Sequence, residues 1–375
     1  MKANVSQQQL ARGLGMVSRA VAPSSTLPVL SNVLIATDEG RLRLSATNLE
    51  LGISCWIGAQ IIEEGAITVP ARTFSDLVGT LPPDQIELDL DSQTQTLSVN
   101  CGSSNTDIKG IDAQEYPPIP TPDLSEGVEL NIADLKEMIQ QVAFAASADE
   151  ARPVLQGVSM TVIENEVTMA ATDGFRISVR KANLSNSIDQ SMSAIIPARA
   201  LNELARIATD GDTTVTMNMP PGRGQVLFHL KDAELVSQLI EGNFPDYNAI
   251  LPTSFATSTT VSTDEFQKAC RQAEIIAREG SYIVRLEIGT DEEGSGQIKL
   301  SAQTEETGMS ENIVGASVDG TDLTIAFNVR FLREALEVIK TPNFILQTNA
   351  NNTPGLLKQV SNDEFQHVIM PMHLG

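Results

Sequence analysis

The alternation of apolar and polar positions repeats one theme three times, about 130 residues apart. Val69-Pro-Ala-Arg-Thr-Phe-Ser-Asp-Leu-Val-Gly-Thr-Leu81 recurs as Ile196-Pro-Ala-Arg-Ala-Leu-Asn-Glu-Leu-Ala-Arg-Ile-Ala208, and more faintly as Phe327-Asn-Val-Arg-Phe-Leu-Arg-Glu-Ala-Leu-Glu-Val-Ile-Lys340. Each copy is an apolar residue, a stop, an Arg shortly after, and then apolar residues at helical spacing. A second set of helical patterns opens each unit, over Ser6 to Val21, Asn131 to Ser147 and Ser262 to Glu279. Leu10, Leu14, Val17 and Val21 form the apolar stripe of the first. Asn131 and Ser262 are suited to cap the other two. Short alternating runs such as Arg41-Leu-Arg-Leu-Ser-Ala, Val167-Thr-Met-Ala-Ala and Gln297-Ile-Lys-Leu-Ser-Ala predict strands after each opening helix. More strands, including Ile86-Glu-Leu-Asp-Leu and Gln225-Val-Leu-Phe-His-Leu, follow the second helix.

A unit therefore reads helix, strands, helix, strands, which is α+β with antiparallel sheet backed by two helices. Proline fixes its own φ and biases the preceding residue away from helix, so Glu115–Pro122 and Asn243–Pro252 read as extended linkers. They divide the chain into domains 1–122, 123–252 and 253–375. The repeat is too long for a solenoid and right for whole domains. Three similar domains suggest that shape, rather than a single pocket, is the function.

Composition changes this picture in one respect. The 375 residues carry a formal charge of −23, which argues against a polyanionic partner until the distribution is examined. The six predicted helices hold 12 Lys/Arg and 10 Asp/Glu, leaving 13 basic against 38 acidic residues elsewhere. Arg12/Arg19, Arg199/Arg206, Arg271/Arg278 and Arg333/Lys340 are each seven apart, two helical turns, so each pair lies along one line of its helix. Arg12 and Arg19 fall nearly opposite the Leu10/Leu14/Val17/Val21 stripe. For one helix such a line is an ordinary solvated face. Four of six with the same spacing, facing one way, would make a mildly positive wall suited to sequence-independent attraction of phosphates. Cys55, Cys101 and Cys270 are too few and too scattered for a disulfide framework or a zinc site. With no basic-flanked apolar leader and no long apolar run, the expected setting is the cytoplasm, without a membrane.

From end to end the chain resembles the beta sliding clamp family of bacterial DNA polymerase III. The motifs that carry the resemblance are Thr26-Leu-Pro-Val-Leu-Ser-Asn, Val69-Pro-Ala-Arg, Ala171-Thr-Asp-Gly-Phe-Arg, Glu241-Gly-Asn-Phe-Pro-Asp-Tyr, Phe327-Asn-Val-Arg and Val368-Ile-Met-Pro-Met-His-Leu374. The resemblance implies three similar clamp domains with sheet outside and helices inside, closing as a head-to-tail homodimer ring around duplex DNA. The DNA-facing set is then Arg12, Arg19, Arg72, Lys136, Arg199 and Arg206, with Lys268, Arg271, Arg278, Arg333 and Lys340 from the last domain. Arg152, in the loop Asp149–Pro153, and Ser24-Ser25 occupy loops that contact DNA in the family.

The resemblance also implies a pocket that receives short linear peptides from DNA polymerase III and other polymerases, the clamp loader and repair proteins. Its matching residues are Thr172, Gly174, Phe175, Arg176 and Ile177, then Pro245 and Ile250, then Asn328 and Phe331, and finally Val368, Met370, Pro371, Met372 and Leu374. Flexible Met among Ile, Val and Leu suits an adaptable apolar floor. Taken alone, Met370 and Met372 read as a buried terminal strand, and Asp173-Gly174 as an ordinary turn. Ring closure implies apolar contacts at Ile275 and Ile276 on one side and Ile108 on the other, with Thr106 where relatives carry an aromatic.

No cofactor or metal is expected, and no catalytic residue. Asp173 and Arg176 could be imagined as an acid and an anion clamp, but no nucleophile–base pair or phosphate loop accompanies them, and His229, His367 and His373 fit no metal or triad spacing. The competing class is an acidic multi-domain scaffold that binds proteins without encircling DNA. It has no use for aligned basic lines.

Overall fold

Apolar side chains at helical spacing fix where the helices lie. The computed structural model describes residues 1–375 apart from 23–24, 122–126, 185–187, 189–190, 210 and 374–375. The first boundary of the domain division, at 122/123, lies outside the described residues, as do Ser24 and Leu374. The helices are α1 (Gln7–Val17), α2 (Ala71–Thr80), α3 (Ile132–Val142), α4 (Ala198–Ile207), α5 (Thr263–Ala277) and α6 (Val329–Val338). In α1, Leu10, Leu14 and Val17 are buried while Arg12 is exposed. Ser6, Asn131, Ser262 and Asn328 cap α1, α3, α5 and α6 by accepting from a backbone N–H two or three residues on.

Two expectations are corrected. Each repeat opens on a short strand, Lys2–Ser6, Val128–Asn131 or Thr257–Ser262, and not on its helix. These runs are four to six residues long and pass directly into the capped helix, so the stronger period-3.6 signal hides them. The helices are also shorter than the apolar pattern. Arg19 falls in the 3-10 turn Ser18–Ala20, Arg278 is the C-cap of α5, and Lys340 lies past the C-cap of α6. Of the four pairs spaced by seven, only Arg199/Arg206 sits wholly inside its α-helix. Ser18 Oγ donates to the Leu14 carbonyl, satisfying an orphan acceptor at the end of α1.

The described residues form two compact units, 1–133 with 199–239, and 134–198 with 240–375. The sheets explain why the middle repeat is shared between them. In the first unit Leu51–Ile57 pairs antiparallel with Ala233–Gln238, joining the first repeat to the second half of the middle one. In the second unit Arg176–Asn183 pairs with Asn362–Ile369, joining the first half of the middle repeat to the last. Both joints use the same elements: the third strand after a repeat's opening helix meets the final strand of the next repeat.

By that rule two strands lack the corresponding partner. Ser104–Lys109, the last strand of the first repeat longer than the two-residue bridge Ile111–Asp112, which pairs with Ala66–Pro70, is the edge of a five-stranded sheet and pairs with Thr96–Cys101 alone among the described residues. In the long strand Gly308–Gly320, residues 316–320 pair with Thr257–Val261, whereas among the described residues 308–315 pair only with Gly296–Thr304. Met309 and Ile313 stand exposed there at 63% and 61%. No helix among the described residues is long and apolar enough to cross a membrane.

Candidate functional site

A small apolar pocket of about 100 Å³ forms in the second unit, and the hairpin at Asp173-Gly174 shapes its rim. Strand Glu166–Thr172 turns into Arg176–Asn183 through three residues. Asp173 Oδ1 accepts from the N–H groups of Phe175 and Arg176 at 2.9 and 3.1 Å, and Thr172 Oγ1 accepts from Gly174 N at 3.0 Å. Gly174 takes φ +93°, where a side chain is strained. Pairing sets Ile177 opposite Val368 on one sheet face, with Ala170, Val179 and Leu356 beside them. The Asn243–Pro252 passage lies over that face and packs Phe244, Tyr247, Ile250 and Leu251 onto it.

Arg176 forms the polar wall, and every guanidinium nitrogen is used. Nε donates to Asp173 Oδ2 at 3.0 Å, Nη1 to Glu334 Oε2 at 2.5 Å and Nη2 to the Phe144 carbonyl at 2.9 Å. Phe331 and Phe144 cover it at 4.4 and 5.2 Å from their ring centroids. Burial raises the Glu334 carboxyl, but hydrogen bonds from Arg330 and Arg176 outweigh it and hold the group below its usual range. Behind this wall His367 is fully buried, stacked on Phe144, with Nδ1 2.6 Å from Ser178 Oγ. Burial, aided by the charge of Arg176, pushes it down to about 3, so it is neutral at physiological pH.

The pocket unites eight of the predicted residues, Thr172, Gly174, Arg176, Ile177, Pro245, Ile250, Val368 and Met370. Leu155 and Tyr247 also line it and were missed in the sequence. Leu155 follows Arg152-Pro153 in a 3-10 turn, and a proline-led turn bearing an apolar residue was the available signal. Phe175, Asn328, Phe331, Pro371 and Met372 are not in the lining. Phe175 is 57% exposed on the rim, and its carbonyl accepts from Met370 N at 2.9 Å. Phe331 backs Arg176, Asn328 caps α6, and Met372 N donates to the Ala326 carbonyl at 2.8 Å. Arg152 joins this region too: Nε bonds Asp149 at 2.9 Å and Nη1 donates to the Asp173 carbonyl at 3.2 Å, so it braces the pocket turn rather than standing free.

The basic residues divide by how far they are neutralised. Arg333 corrects the expectation of a free line on α6: it is half-buried and bridges Glu274 of α5 at 2.7 Å and Glu337 at 2.5 Å. Lys268, Arg72 and Arg278 pair with Asp264, Asp76 and Glu279, and Lys340 approaches Glu137 at 3.6 Å. Lys136 of α3 is half-buried. Arg271 is exposed with no carboxylate within 4.0 Å among the described residues. In the first unit a wide cleft of about 680 Å³ between α1 and α4 is lined by Arg12, Arg19, Arg206 and Lys231 together with Glu203 and Asp232.

At the proposed closing surface Ile275 is 57% exposed, whereas Ile276 packs against the core of its own repeat. Ile108 lies on the edge strand Ser104–Lys109 with its side chain buried in its own sheet, and Thr106 is half-buried. The alternation over Gly308–Gly320 was the missed signal: it puts Met309 and Ile313 on the exposed side.

Comparison with known proteins decides the family. Models described as the N-terminal, central and C-terminal domains of the DNA polymerase III beta subunit match residues 1–120, 129–246 and 248–373. The chain is 32% identical to the beta sliding clamp of Synechococcus elongatus over all of both chains. The chain belongs to the beta sliding clamp family. It is 30% identical to the Staphylococcus epidermidis beta sliding clamp, covering 94% of each. Its structure matches the Bacillus subtilis sliding clamp with a TM-score of 0.93 at 28% identity, and the Streptococcus pyogenes beta subunit with 0.92 at 27%, each over the whole of both chains. A Pseudomonas aeruginosa sliding clamp bound to griselimycin matches at 0.92 and 27%, again over both whole chains. The three clamp domains of the family are the three repeats seen in the strand order.

Proposed function

We propose that two copies of this chain close head to tail into a ring that encircles duplex DNA and tethers its partners there, as a non-catalytic processivity subunit in the cytoplasm. The carrying observation is the repeated strand joint. Leu51–Ile57 with Ala233–Gln238, and Arg176–Asn183 with Asn362–Ile369, obey one rule, and the same rule applied again pairs residues 308–315 with Ser104–Lys109 of a second copy. Open edges that would invite indiscriminate pairing are then closed. Exposed Ile275, Met309 and Ile313 supply apolar area for that contact. The domains run 1–122, 123–252 and 253–375.

The pocket accepts an apolar side chain from a short linear peptide of DNA polymerase III, other polymerases, the clamp loader or repair proteins. Ile177, Ile250, Val368 and adaptable Met370 support that chemistry. The exposed cations of the helices, Arg12, Arg199, Arg206 and Arg271 foremost, attract phosphate without reading sequence. Light scattering over a dilution series tests the closure. The expected result is a dimer that Ile313→Glu or Ile275→Glu converts to monomer with the fold intact by circular dichroism. A wild-type protein monomeric at all concentrations contradicts it.

A further inference from the structure

The cleft between α1 and α4 contains an acid that a simple positive surface would not need. Glu203 lies one turn before Arg206 on α4, with only 9% of its side chain exposed, while Arg19 and Arg206 on either side are 53% and 51% exposed. The contacts are loose. Arg206 Nη1 stands 3.4 Å from both carboxylate oxygens, and Arg19 Nε stands 3.7 Å from Oε2, beyond hydrogen-bond range. Oε2 is buried and accepts no hydrogen bond. Arg199 Nη2 donates to the backbone carbonyl of Arg19 at 3.1 Å and leaves the Arg19 guanidinium unheld. Asp232, the cleft's other acid among the described residues, is engaged by Arg41 at 2.9 Å. Arg12 and Lys231 have no carboxylate within 4.0 Å among the described residues.

We infer that Glu203 is an internal counter-anion that weakens the grip of the α1/α4 cations on DNA phosphates, keeping the surface attractive but not retentive; this rests on the clamp reading. A bidentate, fully hydrogen-bonded pair would withdraw both arginines from phosphate altogether. With no acid, four cations in one cleft would bind a phosphate tightly and favour a fixed position on the duplex. Glu203 does neither. It sits close enough to lower the local potential, and too far to lock either guanidinium, which leaves both free to swing toward a passing phosphate. Because Glu203 and Arg206 are three apart on one helix, the acid stays beside its cation whichever way Arg19 turns. The chemistry of the occupant is a nucleic-acid phosphate, held singly and exchanged readily.

Fluorescence anisotropy of the full-length protein with a short duplex, over a salt series, tests this. Glu203→Gln, which keeps the shape and removes the charge, is expected to bind about three- to tenfold tighter at low salt, with the difference shrinking as salt rises. Arg12→Gln, which removes an unopposed cation, is expected to weaken binding more than Arg19→Gln or Arg206→Gln; all three sites are exposed, so these variants remain informative if the Glu203 variant folds poorly. Equal affinity of Glu203→Gln and wild type, or a smaller loss for Arg12→Gln than for Arg206→Gln, overturns the inference. The double variant Arg199→Glu/Arg206→Glu separates the two levels. If it binds like wild type, the surface does not meet DNA and the clamp reading fails with the inference. If it binds weakly while Glu203→Gln gains nothing, only the counter-anion fails.

Discussion

Arg176 at the pocket and Glu203 in the helix cleft are both charged side chains more than nine-tenths buried, and they are treated in opposite ways. Arg176 has a partner for each guanidinium nitrogen and two aromatic rings within 5.2 Å, so neither its charge nor its position is available for adjustment. Glu203 has one long hydrogen bond and two half-exposed cations beside it. A buried charge that is matched in full fixes geometry, which the proposed peptide pocket requires. One that is matched in part sets an electrostatic potential, which suits a surface that must not hold on.

The largest expected effect breaks the first side of this comparison. Arg176→Ala leaves Asp173 and Glu334 without their shared cation and should destabilise the fold by about 3–5 kcal/mol in chemical denaturation, with peptide binding lost. A loss below about 1 kcal/mol would mean that the wall is not the matched network described. Next comes His367, behind the same wall. Its folded value of about 3 lies below the 6.5 of a free imidazole, so below pH 6.5 the unfolded chain takes up a proton that the folded chain refuses. Its stabilising contribution is therefore complete above pH 6.5 and lost as pH falls toward 3, at about 1.4 kcal/mol per unit. Denaturation of wild type and His367→Gln at pH 7 and pH 5 should show the gap between them narrowing by about 2 kcal/mol. Parallel curves would mean that the imidazole is not held neutral. The smallest effect sharpens the other side: Arg206→Gln should change stability by no more than about 0.5 kcal/mol, because its pairing is loose and half-exposed. A loss of several kcal/mol would make Arg206 a structural strut.

Much of the fold was legible because the repeats reinforce one another. Val69-Pro-Ala-Arg and Ile196-Pro-Ala-Arg each lead from a strand into a helix, as their pattern predicts. The opening strands were not legible, since Lys2–Ser6 alternates over only five residues before the apolar period changes. At the pocket, the motifs around Thr172 and Val368 were readable because strand pairing brings two quoted segments together at Ile177 and Val368. Leu155 was harder to read, because its Pro153-led turn marks a surface loop without telling an apolar residue that faces a pocket from one that faces a core. Charge was the least legible property. Spacing aligns Arg333 and Lys340, yet the partners Glu274, Glu337 and Glu137 that neutralise them come from other turns and other helices. Likewise the repeated joint, and the open edges at Ser104–Lys109 and 308–315, exist only once strand order is known.

Retention on DNA is the most direct test of encirclement. The protein is loaded by the clamp loader proposed as its partner onto nicked circular duplex, separated from free protein, and followed before and after a restriction enzyme linearises the circle. A closed ring remains on the circle and slides off the free ends once they are made. Equal loss from circle and linear duplex, or retention on both, would contradict a topological clamp.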